Sequence, residues 1–168
     1  REDKMQLMAY ENLSGVSAGS FVRNTRKRLK IPVGECLRGR IIDATGNPMD
    51  DRGPLPSSRY YYVENAFINP MSRPPISEPL EFGVKAIDGM NTIGKGQRIG
   101  IFAGSGVGKS TLLGMIAKNV KADINVIALV GERGREVREF VENDLGPEGM
   151  KRSVVVVATS DQPAMLRV

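Results

Sequence analysis

A glycine-rich stretch between two apolar segments limits most strongly what this chain can fold into. Residues 99–111 read IGIFAGSGVGKST and fit the phosphate-loop pattern G-x-x-x-x-G-K-[ST], with Ala103 in place of the first glycine. The apolar run Arg98–Ala103 predicts a buried strand before the loop, and the apolar spacing of Gly108–Asn119 predicts a helix after it. A strand, a glycine-rich turn and a helix are the context that a phosphate-binding loop requires, so an accidental lysine in a turn is the weaker interpretation.

The residue types of this loop suit a nucleotide phosphate. Backbone N–H groups must converge on the β-phosphate, and the loop glycines allow a backbone path that a Cβ would obstruct. The helix that begins near Gly108 directs its positive end at the same phosphate. Lys109 reaches the β- and γ-oxygens, and the Ser110 hydroxyl is an oxygen ligand of the kind that Mg²⁺ prefers. We therefore predict a site for ATP and Mg²⁺, with Ser110 as the metal ligand, formed by Ala103, Gly104, Ser105, Gly106, Val107, Gly108, Lys109, Ser110 and Thr111.

Beyond the loop, strands and helices continue to alternate. Ile124–Val130 and Ser153–Ala158 predict buried strands. Gly134–Leu145 predicts an amphipathic helix that ends at Gly146-Pro147. The order strand–helix–strand–helix–strand implies right-handed crossovers and a parallel sheet covered on both faces. The predicted fold class is α/β with a phosphate-loop parallel sheet.

Charged residues directly follow the second of these strands. Ligands gather beyond the carboxyl ends of parallel strands, so we expect Glu132 at the same edge of the sheet as the phosphate loop. A carboxylate there can orient and polarise the water that attacks a γ-phosphate, and Arg133 can steady that carboxylate or a phosphate oxygen. In an equally open alternative, Glu132 and Glu136 only favour a helix N-terminus electrostatically. The candidate catalytic residues are Lys109, Glu132 and Arg133.

The first half of the chain has a different pattern. Residues 1–50 predict short strands and turns, with a strand over Leu37–Asp43. Six prolines within 52–79 exclude a regular helix or a central strand and predict an extended connector. We expect the three consecutive tyrosines at 60–62 to pack this connector against a neighbouring surface. A role in stacking bases or ligands is the less favoured interpretation.

Charge and composition limit the function classes. The net charge of +5 includes a basic cluster, defined here as Arg23, Arg26, Lys27, Arg28 and Lys30. No aromatic residues are interleaved with this cluster in the sequence, so a solvated loop or strand edge is favoured over a nucleic-acid site. The longest apolar run is too short to span a bilayer, which takes roughly 20 residues. One cysteine and no histidine make zinc chemistry improbable. We expect a soluble, cytoplasmic protein.

Two motifs resemble the ATPases of type III protein export, and the flagellar export ATPases in particular: Phe102–Thr111 (FAGSGVGKST) and Val130–Val137 (VGERGREV). Ile31–Asp50 resembles the start of the nucleotide domain throughout the rotary ATPase superfamily. Ile76–Gly100 resembles the lead-in to its phosphate loop. Ser153–Leu166 is more similar to the export ATPases than to the β subunit of ATP synthase.

The resemblance implies a domain organisation. Residues 80–168 would form an incomplete RecA-like ATPase core, and residues 31–79 an extended connector and the start of the nucleotide domain. Residues 1–30 would be the remnant of a small N-terminal β-barrel. The chain would stop before the family's next strand, whose terminal aspartate orders Mg²⁺ through water. We therefore expect the chain by itself to bind nucleotide weakly and to be inactive or weakly active.

The resemblance also implies a function. Lys109 and Ser110 would match the family's phosphate and magnesium residues, and Glu132 its catalytic glutamate. ATP hydrolysis would power protein export through a flagellar-type type III secretion apparatus. The complete protein would be a homo-hexamer with nucleotide sites between subunits. Its partners would be an export-apparatus regulator, a stalk protein and chaperone–cargo complexes, with peripheral contact at the inner membrane and no nucleic acid.

Three other functions stay open. A catalytic subunit of a rotary ATP synthase or ion pump would share the same core. A hexameric RNA translocase would need an RNA-binding surface. In a non-catalytic subunit, ATP would stabilise a ring without being hydrolysed.

Overall fold

The structure is a computed structural model that describes residues 7–10, 13–64, 68–104 and 106–167. Within these residues the strands are β1 (Lys30–Val33), β2 (Ile41–Asp43), β3 (Arg59–Tyr62), β4 (Asn125–Val130) and β5 (Ser153–Ala158). The helices are α1 (Lys85–Met90), α2 (Lys109–Asn119), α3 (Gly134–Glu139) and α4 (Gly146–Met150), and a π-helical segment, Phe140–Leu145, joins α3 to α4. None of the helices in these ranges has the length and apolar character needed to cross a membrane.

A three-stranded parallel sheet with the order β2-β5-β4 forms the centre of the fold. The middle strand, β5, pairs with β4 along its whole length and with β2 at Val155–Val157. Its run of valines suits this position, because β-branched side chains pack well on the two faces of a buried parallel strand. The predicted α/β class with a parallel sheet is confirmed. The structure also brings β2 into this sheet, and the predicted strand over Leu37–Asp43 is shortened by a 3-10 turn at Glu35–Leu37.

Two apolar clusters both include residues of α2. The first joins α2 and the π-helical segment to one face of the sheet; its buried members are Ala117, Ile127, Leu129, Phe140, Leu145, Val155 and Val157. The second joins α2 to the segment that leads into it; its buried members are Phe82, Val84, Ile93, Ile116 and Val120. Because α2 takes part in both clusters, its packing fixes the helix that carries Lys109 relative to the sheet.

The predicted strand over Arg98–Ala103 is wrong. This segment is irregular, and the Phe102 side chain is 96% exposed. An apolar run becomes a strand only when a neighbouring strand satisfies its backbone N–H and C=O groups. No strand of the described ranges pairs with this segment.

The expected coverage of both sheet faces is wrong for β4. Ile127 and Leu129 are buried on one face, while Val126 on the other is 73% exposed and Val130 is also exposed. Alternate residues of a strand point to opposite faces, and the described helices pack on the Ile127 side only.

The helix predicted over Gly134–Leu145 is present but irregular. It begins as α3, widens into the π-helical segment, and ends where Gly146 adopts a positive φ of 63°. Pro147 does not follow the helix as a breaker; it occupies the first turn of α4, where its missing N–H costs nothing. Gly114 of α2 faces this irregular region so closely that an added Cβ would lie 2.6 Å from the Asp144 carbonyl oxygen.

Part of the predicted connector is a strand. β3 pairs antiparallel with β1 in a separate two-stranded sheet, which we call the ribbon. The three tyrosines of β3 are about half exposed, so they are not packed under a neighbouring surface. Within the described part of residues 1–30, only Lys30 belongs to a strand. The N-terminal β-barrel therefore stays a prediction.

A buried ion pair fixes the turn that follows β2. The Arg40 guanidinium donates to both carboxylate oxygens of Asp50, at 2.6 and 2.8 Å, and to the Gly53 carbonyl at 2.7 Å. Asp50 also accepts from the Ile41 N–H at 3.1 Å. The hydrogen bonds from Arg40, with those from backbone N–H groups, lower the pKa of Asp50 to about 2. The ionised carboxylate therefore favours the folded state.

We expect Asp50→Asn to lower the free energy of unfolding by about 2 kcal/mol, because charge-assisted hydrogen bonds are lost from a buried site. Urea unfolding measures this, with the exposed Asp51→Asn as the control. The unfolded chain binds a proton at Asp50 at higher pH than the folded chain does, so the stabilisation present above pH 4 declines toward pH 2. The difference in free energy of unfolding between wild type and variant should therefore decrease from pH 4 to pH 2. A difference that stays constant would contradict the lowered pKa of Asp50.

Candidate active site

The phosphate-loop backbone takes a left-handed path into α2. Gly106 and Gly108 have positive φ values of 75° and 93°, which glycine adopts without the strain that a Cβ causes. Gly108 is the N-cap, and the first turn of α2 carries no acidic residue. The unpaired N–H groups at the start of this 11-residue helix thus form a positive end available to an anion.

Gly106 and Gly108 are required for one reason, and Gly104 for another. At Gly104, Gly106 and Gly108 an added Cβ would have no heavy atom of a described residue within 4 Å, apart from chain neighbours. Packing therefore does not require glycine at any of these positions. Backbone conformation requires it at Gly106 and Gly108, and at Gly104 only the predicted approach of a phosphate gives a reason for it.

A polar cavity of about 370 Å³ lies at the start of α2. It is lined by Gly104, Gly106, Gly108, Lys109, Ser110, Thr111, Glu132, Glu136, Glu139, Phe140 and Asp144. Most of the predicted loop residues therefore line it together with Glu132. Ala103 and Val107 are exposed loop residues that do not line this cavity, and the predicted Ser105 lies outside the described residues.

Backbone hydrogen bonds to the end of β5 position Glu132. The Gly131 N–H donates to the Ala158 carbonyl at 2.7 Å, and the Ser160 N–H donates to the Glu132 carbonyl at 2.9 Å. Gly131 has a φ of 75°, which lets the chain turn sharply after β4. Lys109 Nζ and Glu132 Oε1 are 3.9 Å apart, with side-chain exposures of 52% and 34%. The end of the sheet thus places an acidic oxygen directly beside the loop lysine.

Arg133 points to a neighbour other than Glu132. Its Nη1 donates to Glu136 Oε1 at 3.0 Å, and Arg133 is not among the residues that line the cavity. A hydrogen bond with the Glu132 carboxyl, together with hydrogen bonding and charge at Arg133, lowers the pKa of Glu136 below its usual value. Glu136 thus connects the two charged residues that sequence reasoning singled out.

Sequence reasoning gave Glu136 only an electrostatic role at the helix start and missed Glu139 and Asp144. Glu136 and Glu139 are three residues apart, a spacing that places side chains on the same face of a helix. That spacing is the signal that could have added Glu139. Asp144 lies within the π-helical segment, whose altered periodicity the sequence does not show.

An apolar cavity of about 380 Å³ adjoins the polar one. The apolar side chains that line it are Phe82, Ile99, Ile101, Leu113, Ile116, Leu129 and Phe140. Lys109, Ser110, Glu132 and Glu136 line both cavities, so they lie at the boundary between polar and apolar surroundings.

The residues fit Mg²⁺ bound with a nucleotide better than a metal held by protein alone. The described residues contain no group of three or more histidine, cysteine, aspartate or glutamate side chains arranged to hold a metal ion. Mg²⁺ typically takes few protein ligands and keeps waters and phosphate oxygens as the others. The Ser110 hydroxyl at the start of α2 suits that chemistry.

Comparison with known proteins gives consistent matches. Residues 83–168 match the ATP synthase alpha/beta family, nucleotide-binding domain. The chain is 57% identical to the flagellum-specific ATP synthase of Bacillus subtilis (strain 168), over 99% of this chain and 38% of that protein. It thus spans about two fifths of that relative's length.

Solved structures agree. The assembled ATPase EscN of the enteropathogenic E. coli type III secretion system is 47% identical, with a TM-score of 0.84, over 94% of this chain and 38% of EscN. EscN in complex with its central stalk EscO matches with the same identity and TM-score, over 94% of this chain and 39% of that one.

We expect Gly108→Ala to destabilise the chain by about 1 kcal/mol, because alanine in a left-handed conformation is strained. Gly104→Ala is the matched control, because its φ is not in the left-handed range and its surroundings are open. Thermal unfolding of the two variants measures the difference. Equal losses would show that backbone conformation does not distinguish these glycines.

Proposed function

Because this chain belongs to the ATP synthase alpha/beta family, we propose that it is the phosphate-loop part of an ATPase whose hydrolysis of ATP powers protein export through a flagellar-type type III apparatus. The observation that carries the proposal is the 3.9 Å separation of Lys109 and Glu132 across one cavity, at the start of α2. This arrangement joins a phosphate-binding cation to a carboxylate suited to activating water.

The loop and α2 bind the triphosphate in this proposal. Backbone N–H groups around Gly106 and Gly108 and the positive end of α2 bind the phosphate oxygens. Lys109 Nζ, now near Glu132, moves to the β- and γ-oxygens. The Ser110 hydroxyl would hold Mg²⁺, which would neutralise part of the phosphate charge.

Glu132 orients the attacking water. The water oxygen forms a bond to the γ-phosphorus, the bond from that phosphorus to the β–γ bridging oxygen breaks, and ADP leaves with the electron pair. The Glu132 carboxylate accepts a hydrogen bond from the water and takes up its proton. Arg133 donates to Glu136, which lines the cavity, so in this proposal Arg133 acts on the charge of the site through Glu136. Positioning and charge stabilisation are most of what phosphoryl transfer requires.

The 57% identity to a flagellum-specific relative supports a flagellar role. The assembled EscN and its stalk complex support a ring of copies, taken to be a homo-hexamer, and a stalk partner. We further propose an export-apparatus regulator and chaperone–cargo complexes as partners. The location is cytoplasmic, peripheral to the inner membrane.

Lys109→Ala should weaken the binding of Mg-ADP and Mg-ATP to this chain by roughly 10- to 100-fold, the loss expected for charge-assisted hydrogen bonds. Titration calorimetry of the 168-residue chain measures the change. Lys118→Ala, at the other end of α2, is the matched control and should bind as the wild type does. A folded Lys109→Ala chain with unchanged affinity would remove the loop lysine from the phosphate site.

Glu132→Gln should lower kcat for ATP hydrolysis by about 10²- to 10⁴-fold in a protein of the relatives' full length, because glutamine cannot accept the proton. Binding of Mg-ATP should persist, since the carboxylate does not hold the phosphates. Glu148→Gln is the control, an exposed carboxylate that pairs with Lys151 on α4. Unchanged turnover in Glu132→Gln would favour a non-catalytic nucleotide site.

A further inference from the structure

The ribbon presents an open strand edge. All four residues of β3 are exposed, and β3 pairs with β1 on one side. In the described ranges no second strand pairs with its other side. An unpaired edge offers a row of N–H and C=O groups to an incoming strand, and proteins usually protect such edges.

The hydrogen-bonding pattern of the ribbon shows which backbone N–H and C=O groups of β3 point away from β1. The Val63 N–H donates to the Leu29 carbonyl at 3.1 Å, one step beyond the Lys30–Tyr62 pair. Hydrogen-bonded and non-bonded pairs alternate in an antiparallel ladder, so Lys30–Tyr62 and Pro32–Tyr60 are non-bonded. Pro32, which has no N–H, fits this position. The N–H and C=O groups of Tyr60 and Tyr62 therefore point away from β1.

Cations surround this edge. Arg28 lies over the Tyr62 ring at 4.3 Å, and Lys30 over the Tyr60 ring at 5.0 Å. On the other face Arg59 Nη2 donates to the Tyr61 hydroxyl at 3.0 Å. Among the described residues, Glu64 forms an ion pair with Arg28 at 3.7 Å and is largely exposed. The positive charge of these three side chains thus exceeds the negative charge of Glu64.

We propose that the outer edge of β3 binds an extended acidic segment of a partner protein, which adds to the ribbon as a third strand. Backbone hydrogen bonds to Tyr60 and Tyr62 supply affinity, as in other cases of strand addition. Carboxylates on alternate residues of the segment share one face and pair with Arg28 and Lys30 on the face of Tyr60 and Tyr62. This interaction is separate from the phosphate loop and does not depend on ATP.

An acidic protein segment fits better than a nucleic-acid strand or a lipid surface. The basic cluster, without aromatics in sequence, gains them in space from β3, as a base-stacking surface would need. However, the tyrosine rings already lie against Arg28 and Lys30, so a base would have to displace those cations. A strand that bonds to the backbone edge leaves these ring contacts in place.

The test uses the 168-residue chain and a fluorescein-labelled peptide of alternating glutamate and valine, measured by fluorescence anisotropy. Two further peptides carry N-methyl groups on alternate residues, one on the odd and one on the even positions. An added strand directs the N–H groups of every second residue toward the ribbon. The peptide methylated at those residues should therefore bind at least about tenfold more weakly, and the other methylated peptide should bind as the parent does. Equal binding, or equal loss, by both overturns the proposal.

Two pairs of variants test the charges. Arg28→Gln with Lys30→Gln should weaken binding by about tenfold. Arg23→Gln with Lys27→Gln makes the same change in net charge at residues outside the cation–tyrosine contacts of the described residues, and it should have a smaller effect. Equal effects would show attraction to net charge alone and overturn the proposal. Tighter binding of an oligothymidylate or of phosphatidylglycerol vesicles would assign the surface to those ligands instead. Self-association that the peptide cannot compete for would assign it to a second copy.

Discussion

The pairing of β5 with strands on both of its edges is the constraint on which the rest of the structure depends. It joins β2, from the first third of the chain, to β4, which follows the phosphate-loop helix. The same register sets the end of the sheet, because the carbonyl of Ala158 and the N–H of Ser160 hold the turn that carries Glu132. A slip of one residue would move that turn by about 3.3 Å and reverse which side chains face the core.

Helix α2 transfers this constraint to the loop. It packs on the sheet through Ala117 and on the segment before the loop through Ile116, so a displacement of the helix would disturb the packing of these clusters. Gly114 permits the close approach of the π-helical segment. The exposed loop is thus attached to a rigid helix, and Lys109 lies at the junction between the two.

The sequence was sufficient to predict the elements whose partners are local or strongly apolar. The strands at 124–130 and 153–158, the helix after the phosphate loop and the proximity of Glu132 to Lys109 all follow from periodicity and from the rule that ligands gather at strand ends. What the sequence could not show depends on distant partners. Arg98–Ala103 has strand composition, but whether it forms a strand depends on a neighbour. Likewise, the contact of Tyr60 and Tyr62 with the basic cluster depends on the pairing of β3 with β1.

The Lys109–Glu132 ion pair shows why this arrangement can serve binding as well as chemistry. Both side chains are partly exposed and their charged atoms are 3.9 Å apart, so solvent screens the attraction and the pair contributes little to stability. A triphosphate brings several negative charges to the same lysine, assisted by the N–H groups of the loop and by the end of α2. The attraction of Lys109 to the phosphate oxygens is therefore stronger than its attraction to the single carboxylate of Glu132. Once the lysine turns to the phosphates, Glu132 keeps its place, because the backbone bonds that position it come from β5 and not from Lys109. A carboxylate held by the sheet and released from its cation is a stronger acceptor for the hydrogen of a water molecule than one that is still paired.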